Sequence, residues 1–274
     1  MKHIKYILLI VTAVLFTACE EVVDMDLNTA APRLVVDASI DWVRGTDGSE
    51  QKVKLSMTGG YYENTVPPVS GATVFITNGA SVVFDFIENP GTGEYVCSNF
   101  VPEIGQAYTL TVIHDGETYT AAEKLFAAPE IQNVVQDNEG GFTGDNIELT
   151  YYFPDNGNET NFYLARIDTD IYPYPEYGAL KDEFEQGNLM SVIVSDEDFN
   201  PGDNVGFKLY GISERYYNFM MILISITEGG TGSGPFQTPP VNARGNIINQ
   251  TNQENFAFGY FRLGEVEKLD YTIQ

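Results

Sequence analysis

The chain has 274 residues, with 39 acidic against 14 basic side chains and a formal net charge of −25. So negative a surface repels phosphate backbones and anionic lipid headgroups, which sets aside nucleic acid and peripheral membrane binding as expected partners. Two cysteines against 17 Tyr, 17 Phe, 26 Gly and 13 Pro point to many short strands and turns, stabilised by burial and not by disulfides.

The chain opens with Lys2, His3 and Lys5, then an apolar run from Ile7 to Phe16 interrupted by Thr12, then Thr17-Ala18-Cys19. A basic start, a short apolar core and a small residue before a cut describe a secretory leader over residues 1–18. The run is shorter than the roughly 20 apolar residues that span a bilayer. Because the residue after the cut is Cys19, the site resembles a bacterial lipoprotein signal. That resemblance implies a thioether-linked diacylglycerol, an acylated amino terminus and attachment to the outer membrane through Cys19. Residues 19–31 read as an acidic tether. Glu20, Glu21 and Asp24 in it resemble the surface-export signal of Bacteroidetes-type lipoproteins, which implies that the protein faces the cell exterior. With Cys19 lipidated, Cys97 has no intrachain partner and reads as a small buried apolar residue.

From Pro32 strand and turn alternate. Strands are expected at 34–40, 53–57, 71–77, 82–87, 94–97, 108–113 and 118–121, with hairpin turns at Asn78-Gly79 and Asp115-Gly116. That density of short strands predicts an immunoglobulin-like β-sandwich over residues 32–127. Ala127-Ala128-Pro129 reads as a boundary, followed by a second β-rich domain over 128–274. Its expected strands are 147–153, 162–167, 191–195 and 205–212, with an irregular acidic stretch at 168–188 and two closing β segments at 256–263 and 266–273. One helix is expected near 214–227, capped by Ser213, turning Tyr217, Met220, Met221 and Ile224 inward. A buried strand through Ile222-Leu223-Ile224 is the alternative. The fold class is therefore mainly β.

Catalytic signals are few. Once the leader departs, His114 is the only histidine, at the tip of a hairpin, so neither a nucleophile–base pair nor a zinc site has the residues it needs. Walker and dinucleotide-binding loops are absent, and the paired carboxylates of a glycosidase would leave no sequence signal. No enzyme activity and no cofactor are expected. Calcium is the one alternative, because Asp155-Asn156-Gly157-Asn158 and Asp196-Glu197-Asp198 gather oxygen ligands; solvated turns of an acidic chain are the simpler reading. Tyr172, Tyr174 and Tyr177, spaced by prolines, could present aromatic faces to a sugar or a protein partner, or fold back over a sheet edge. Residues 229–246 carry five glycines and no acid. Phe236 and Arg244 would anchor a partner there, unless the stretch is only a connector.

Several phrases also occur in a telling order: Leu34-Val35-Val36, Val69-Ser70-Gly71-Ala72-Thr73-Val74, Gly105-Gln106-Ala107-Tyr108-Thr109-Leu110, Gly116-Glu117-Thr118-Tyr119, Ala128-Pro129-Glu130-Ile131, and Gly245-Asn246-Ile247 with Phe258-Gly259-Tyr260-Phe261. With the acid-trailed Cys19, they resemble the Bacteroidetes lipoprotein family of domain of unknown function 4249. The resemblance implies an outer-membrane lipoprotein, often encoded beside a TonB-dependent transporter, with no catalytic residues to carry over. The expected function is a non-catalytic docking or ligand-presenting subunit of such a transporter system. A free-standing carbohydrate-binding or adhesion lipoprotein is the alternative.

Overall fold

Alternation at period two builds most of the strands. In β1 (Leu34–Val43), Leu34, Val36, Ala38 and Ile40 point into a core while Val35, Asp37 and Ser39 point away. The same pattern makes β2 (Gln51–Met57), β3 (Thr73–Asn78), β4 (Val83–Asn89), β5 (Glu94–Cys97), β6 (Ala107–His114) and β7 (Glu117–Phe126). All seven match the expected strands, and Asp115 and Gly116 take the positive φ of 48° and 77° that a tight hairpin turn requires. Beyond them come β8 (Asn133–Gly140), β9 (Asn146–Pro154), β10 (Phe162–Thr169), β11 (Glu176–Lys181), β12 (Leu189–Asp196), β13 (Asn204–Ile212), the helix α1 (Glu214–Thr227), β14 (Ile248–Asn249) and β15 (Phe258–Thr272). This computed structural model describes residues 31–60, 65–183, 187–227 and 243–274. Cys19, Glu20, Glu21, Asp24 and Phe236, singled out above, lie outside the described residues.

The first core sits inside a barrel-like sheet in the order β15-β1-β2-β5-β4-β3-β6-β7. It is closed where Leu263 and Gly264 pair back to Leu125 and Phe126. Phe84, Phe100 and Tyr108 stack through it with ring centroids 4.8 and 5.3 Å apart. Cys97 is buried there without a disulfide, and burial pushes its thiol pKa up.

β15 then continues out of the barrel. Its first part pairs in parallel with β1, from Val35 opposite Phe258 to Val43 opposite Val266. Its second part pairs antiparallel with β13, ending with Asn204 opposite Thr272. β10 and β11 extend that sheet, and the three strands β12-β9-β8 face it across a second core that includes Tyr151, Phe153, Ile167 and Phe207. On the opposite face α1 packs Tyr216 and Met220 against Leu164, Tyr210, Tyr260 and Val266. Ser213 caps it as expected, its Oγ accepting the Tyr216 N–H at 3.2 Å. No described helix is long and apolar enough to cross a membrane.

The fold is mainly β with one described helix, and four details differ from expectation. The two closing segments are one strand of 15 residues. Gly264 does not break it; a Cβ there would lie 2.5 Å from the Gly211 carbonyl oxygen, so the glycine permits close backbone approach. Residues 168–188 are not wholly irregular, because they contain β11, and β8 was not foreseen. The helix turns Tyr216 inward and leaves Met221 exposed, since its buried stripe follows the rings of Tyr210 and Tyr260.

The expected boundary at Ala127-Ala128-Pro129 lies between Leu125 of the first core and Ile131 of the second, although the first core also takes Ile247, Ala257, Phe261 and Leu263. Yet Pro32 to Gln274 form one compact unit, because β15 serves both cores. The linker is fastened to that strand. Arg44 donates to the Ala128 carbonyl and pairs with Glu265 at 3.0 Å, while Glu265 accepts the Ala128 N–H at 3.0 Å.

Candidate functional site

Three connections meet at one end of the second pair of sheets. The register places Ile147 opposite Asp196 and Gly140 opposite Asn146, so the β8–β9 hairpin tip adjoins the end of β12. Gly141 and Gly144, with φ of 72° and 78°, turn that tip and leave Phe142 fully exposed. The β10–β11 connection reaches the same end. Its Tyr172 hydroxyl donates to Asp196 Oδ2 at 2.7 Å, and Asp170 accepts from Asn204 Nδ2 at 3.2 Å. The bond to Asp196, then burial and the nearby Asp198 and Glu176, push the Tyr172 phenol pKa up to about 12. Pro173 and Pro175 flank Tyr174, which is 80% exposed.

The fold therefore joins two groups that the sequence keeps apart, the tyrosine–proline loop and the Asp196-Glu197-Asp198 turn. The result is an acidic end carrying the aromatic tips Phe142 and Tyr174. Tyr177 is set apart from it. It lies opposite Arg166 on β10, whose guanidinium is 5.8 Å from its ring, and Arg166 in turn lies opposite Lys208. Burial alone would raise the Asp168 carboxyl, but Arg166 at 2.6 Å and Lys208 at 2.7 Å hold it below its ordinary range.

The two candidate calcium turns fall at opposite ends of β9, and several of their side-chain oxygens are already engaged. Asp155 accepts from the Tyr163 hydroxyl and the Gly187 N–H, both at 2.9 Å; Asn156 Oδ1 accepts from Asn158 Nδ2 at 2.9 Å; Asp196 accepts from Tyr172 and from the Asp198 N–H. Among the described residues no group of three or more acidic, histidine or cysteine side chains is placed to hold a metal ion. His114 lies 3.4 Å from Asp115 in its hairpin turn. Arg244 is exposed, its guanidinium 4.0 Å from the Phe256 ring, which Arg33 also approaches at 3.8 Å.

Phe142 is the site residue the sequence reading missed. The signal was present as a lone aromatic inside Gly140-Gly141-Phe142-Thr143-Gly144, where glycines leave nothing local to cover it. Chemically, this end offers ring faces for stacking beside carboxylate and amide oxygens that accept hydrogen bonds, which suits a sugar or a protein loop.

No curated protein matches the chain. Among solved structures it overlaps a two-domain fibronectin type III segment of chicken tenascin at 10% identity, covering 66% of this chain and 90% of that one with a TM-score of 0.22. A cytokine receptor complex gives 10% identity, 65% and 82% coverage and a TM-score of 0.25. The FN1–FN3 domains of chicken CNTN1 give 14%, 60% and 56%, and 0.22. Overlaps this loose carry no argument about function. The family described as Domain of unknown function (DUF4249) matches residues 20–270.

Proposed function

This chain belongs to the DUF4249 family, and on that premise we propose that it is a lipid-anchored protein of the outer membrane, facing the cell exterior through Cys19 and its acidic tether. In this reading it is a non-catalytic docking or ligand-presenting subunit of a TonB-dependent transporter system. Its β1–β7 strands are an immunoglobulin-like set to which β15 has been added. The observation that carries the reading is the aromatic end formed by Phe142, Tyr172 and Tyr174. Exposed rings on short, glycine- and proline-set loops lose little entropy on binding, and aromatic anchors dominate interface energy. Carbohydrate binding is the second reading, favoured by the Tyr172–Asp196 pair, because a fixed ring beside a carboxylate can stack on a sugar and accept its hydroxyls.

The test is purification of the full chain from its native membrane, beside a variant carrying Phe142→Ala, Tyr172→Ala and Tyr174→Ala. The reading expects a copurifying transporter to be lost from the variant while its melting temperature stays near that of the parent. Full retention of the transporter by the variant would overturn docking through this end. Loss of oligosaccharide binding, with no transporter copurifying from either protein, would favour the second reading.

A further inference from the structure

We propose that the cleft between α1 and the segment Arg244–Asn246 binds a small carboxylate with a planar, apolar body. The cleft is open to solvent and holds about 570 Å³, within the roughly 300–1,000 Å³ typical of small-molecule sites. Arg215 and Asn218 line it from α1 and Arg244 from the facing segment, while Phe219, Ile222 and Tyr260 supply its apolar surface. The Phe219 and Tyr260 rings pack with centroids 4.9 Å apart, and Tyr216 meets Tyr260 at 4.8 Å, so this aromatic floor is fixed by the helix packing.

Charge decides the chemistry. Acids outnumber bases 39 to 14 in this chain, so arginines have carboxylates in abundance to choose from. Arg44, Arg166 and Arg262 each hold one, and Arg33 donates to the carbonyls of Glu254 and Phe256. Arg215 and Arg244 are the two arginines whose guanidinium donors have no acceptor among the described residues, and both line this cleft. Arg244 is braced by the Phe256 face, which restrains its planar group without consuming an N–H. Two guanidinium forks at one cleft match carboxylate oxygens, and the adjacent rings accept an apolar body. Burial pushes the Tyr260 phenol up to about 12, so no tyrosinate opposes an incoming anion at neutral pH. Glu123, whose charge is felt at Tyr260, accepts the Ser213 hydroxyl at 2.8 Å. The site does not involve Phe142, Tyr172 or Tyr174, so it and the aromatic end can fail separately.

Isothermal titration of the full chain with naphthoate, and in parallel with the neutral naphthamide, tests the proposal. Naphthoate is expected to bind saturably, and the amide about tenfold or more weakly, as loss of a charge-assisted pair implies. Arg215→Gln and Arg244→Gln should each weaken naphthoate by about tenfold, with unchanged melting temperature because both side chains are exposed. Equal affinity for acid and amide, full affinity in both variants, or no saturable naphthoate heat in the millimolar range would each overturn it. The comparison of the two ligands on the parent protein stands even if a variant folds poorly.

Discussion

Arg262 is a buried cation whose one carboxylate partner is Asp41. It is 8% exposed, its Nη1 donates to Asp41 Oδ1 at 2.6 Å, and its Nε has no partner. Burial works against its charge, but Asp41 and the surrounding Tyr216 and Tyr210 more than offset this and hold its pKa above the ordinary value. The guanidinium lies 4.9 Å from the Tyr210 ring and 5.5 Å from the Tyr216 ring, so it joins β15 to β13 and α1 as well as to β1. A buried pair of this kind contributes little net stability, yet removing one partner strands the other. Asp41→Ala is therefore expected to cost about 3 kcal/mol, the lower end of the usual range because Asp41 is partly exposed. The double variant Asp41→Ala, Arg262→Met should recover most of that loss. Denaturant midpoints at constant slope measure both, and a double variant no more stable than Asp41→Ala would show that no stranded charge was involved.

At the scale of elements, backbone contact governs the junction. A Cβ on Gly211 of β13 would lie 2.0 Å from the Ala127 carbonyl oxygen, and Gly264 of β15 meets Gly211 in turn. Three chain segments thus stack with no side chain between them. Gly211→Ala should cost about 2 kcal/mol or more by overpacking, which lowers the melting temperature by about 4 °C or more in a protein of this size. A melting temperature within a degree of the parent would mean that the linker moves aside freely. The elements legible in the sequence were those with an apolar face to bury. β8 and β11 were not legible because Asn133-Val134-Val135-Gln136-Asp137 and Glu176-Tyr177-Gly178 form sheet edges held by pairing, with little apolar periodicity. The continuity of β15 was hidden by Gly264-Glu265, which reads locally as a turn and acts instead as a packing glycine and a latch for Ala128. At the candidate site Tyr172 and Tyr174 could be read and Phe142 could not, and the bond between Tyr172 and Asp196 joins positions 24 residues apart, which no local pattern encodes.

For the molecule as a whole, the strand common to both cores sets how tension would pass through it. β1 and β15 run in parallel over nine paired positions, from Val35 with Phe258 to Val43 with Val266. A pull at Pro32 draws β1 one way along the ladder, and a pull at Gln274 draws β15 the other way. Every hydrogen bond between them is then loaded together in shear. The β6–β7 hairpin is antiparallel, with Ala107 opposite Lys124, so a pull on its open ends parts its bonds one after another. In single-molecule stretching, handles at Pro32 and Gln274 should give a higher rupture force than handles at Ala107 and Phe126. Equal forces would mean that the β1–β15 ladder bears no special load. A protein held at its N-terminal side and gripped at its far end would on this account transmit force through one continuous strand, and it would yield abruptly, not by gradual peeling.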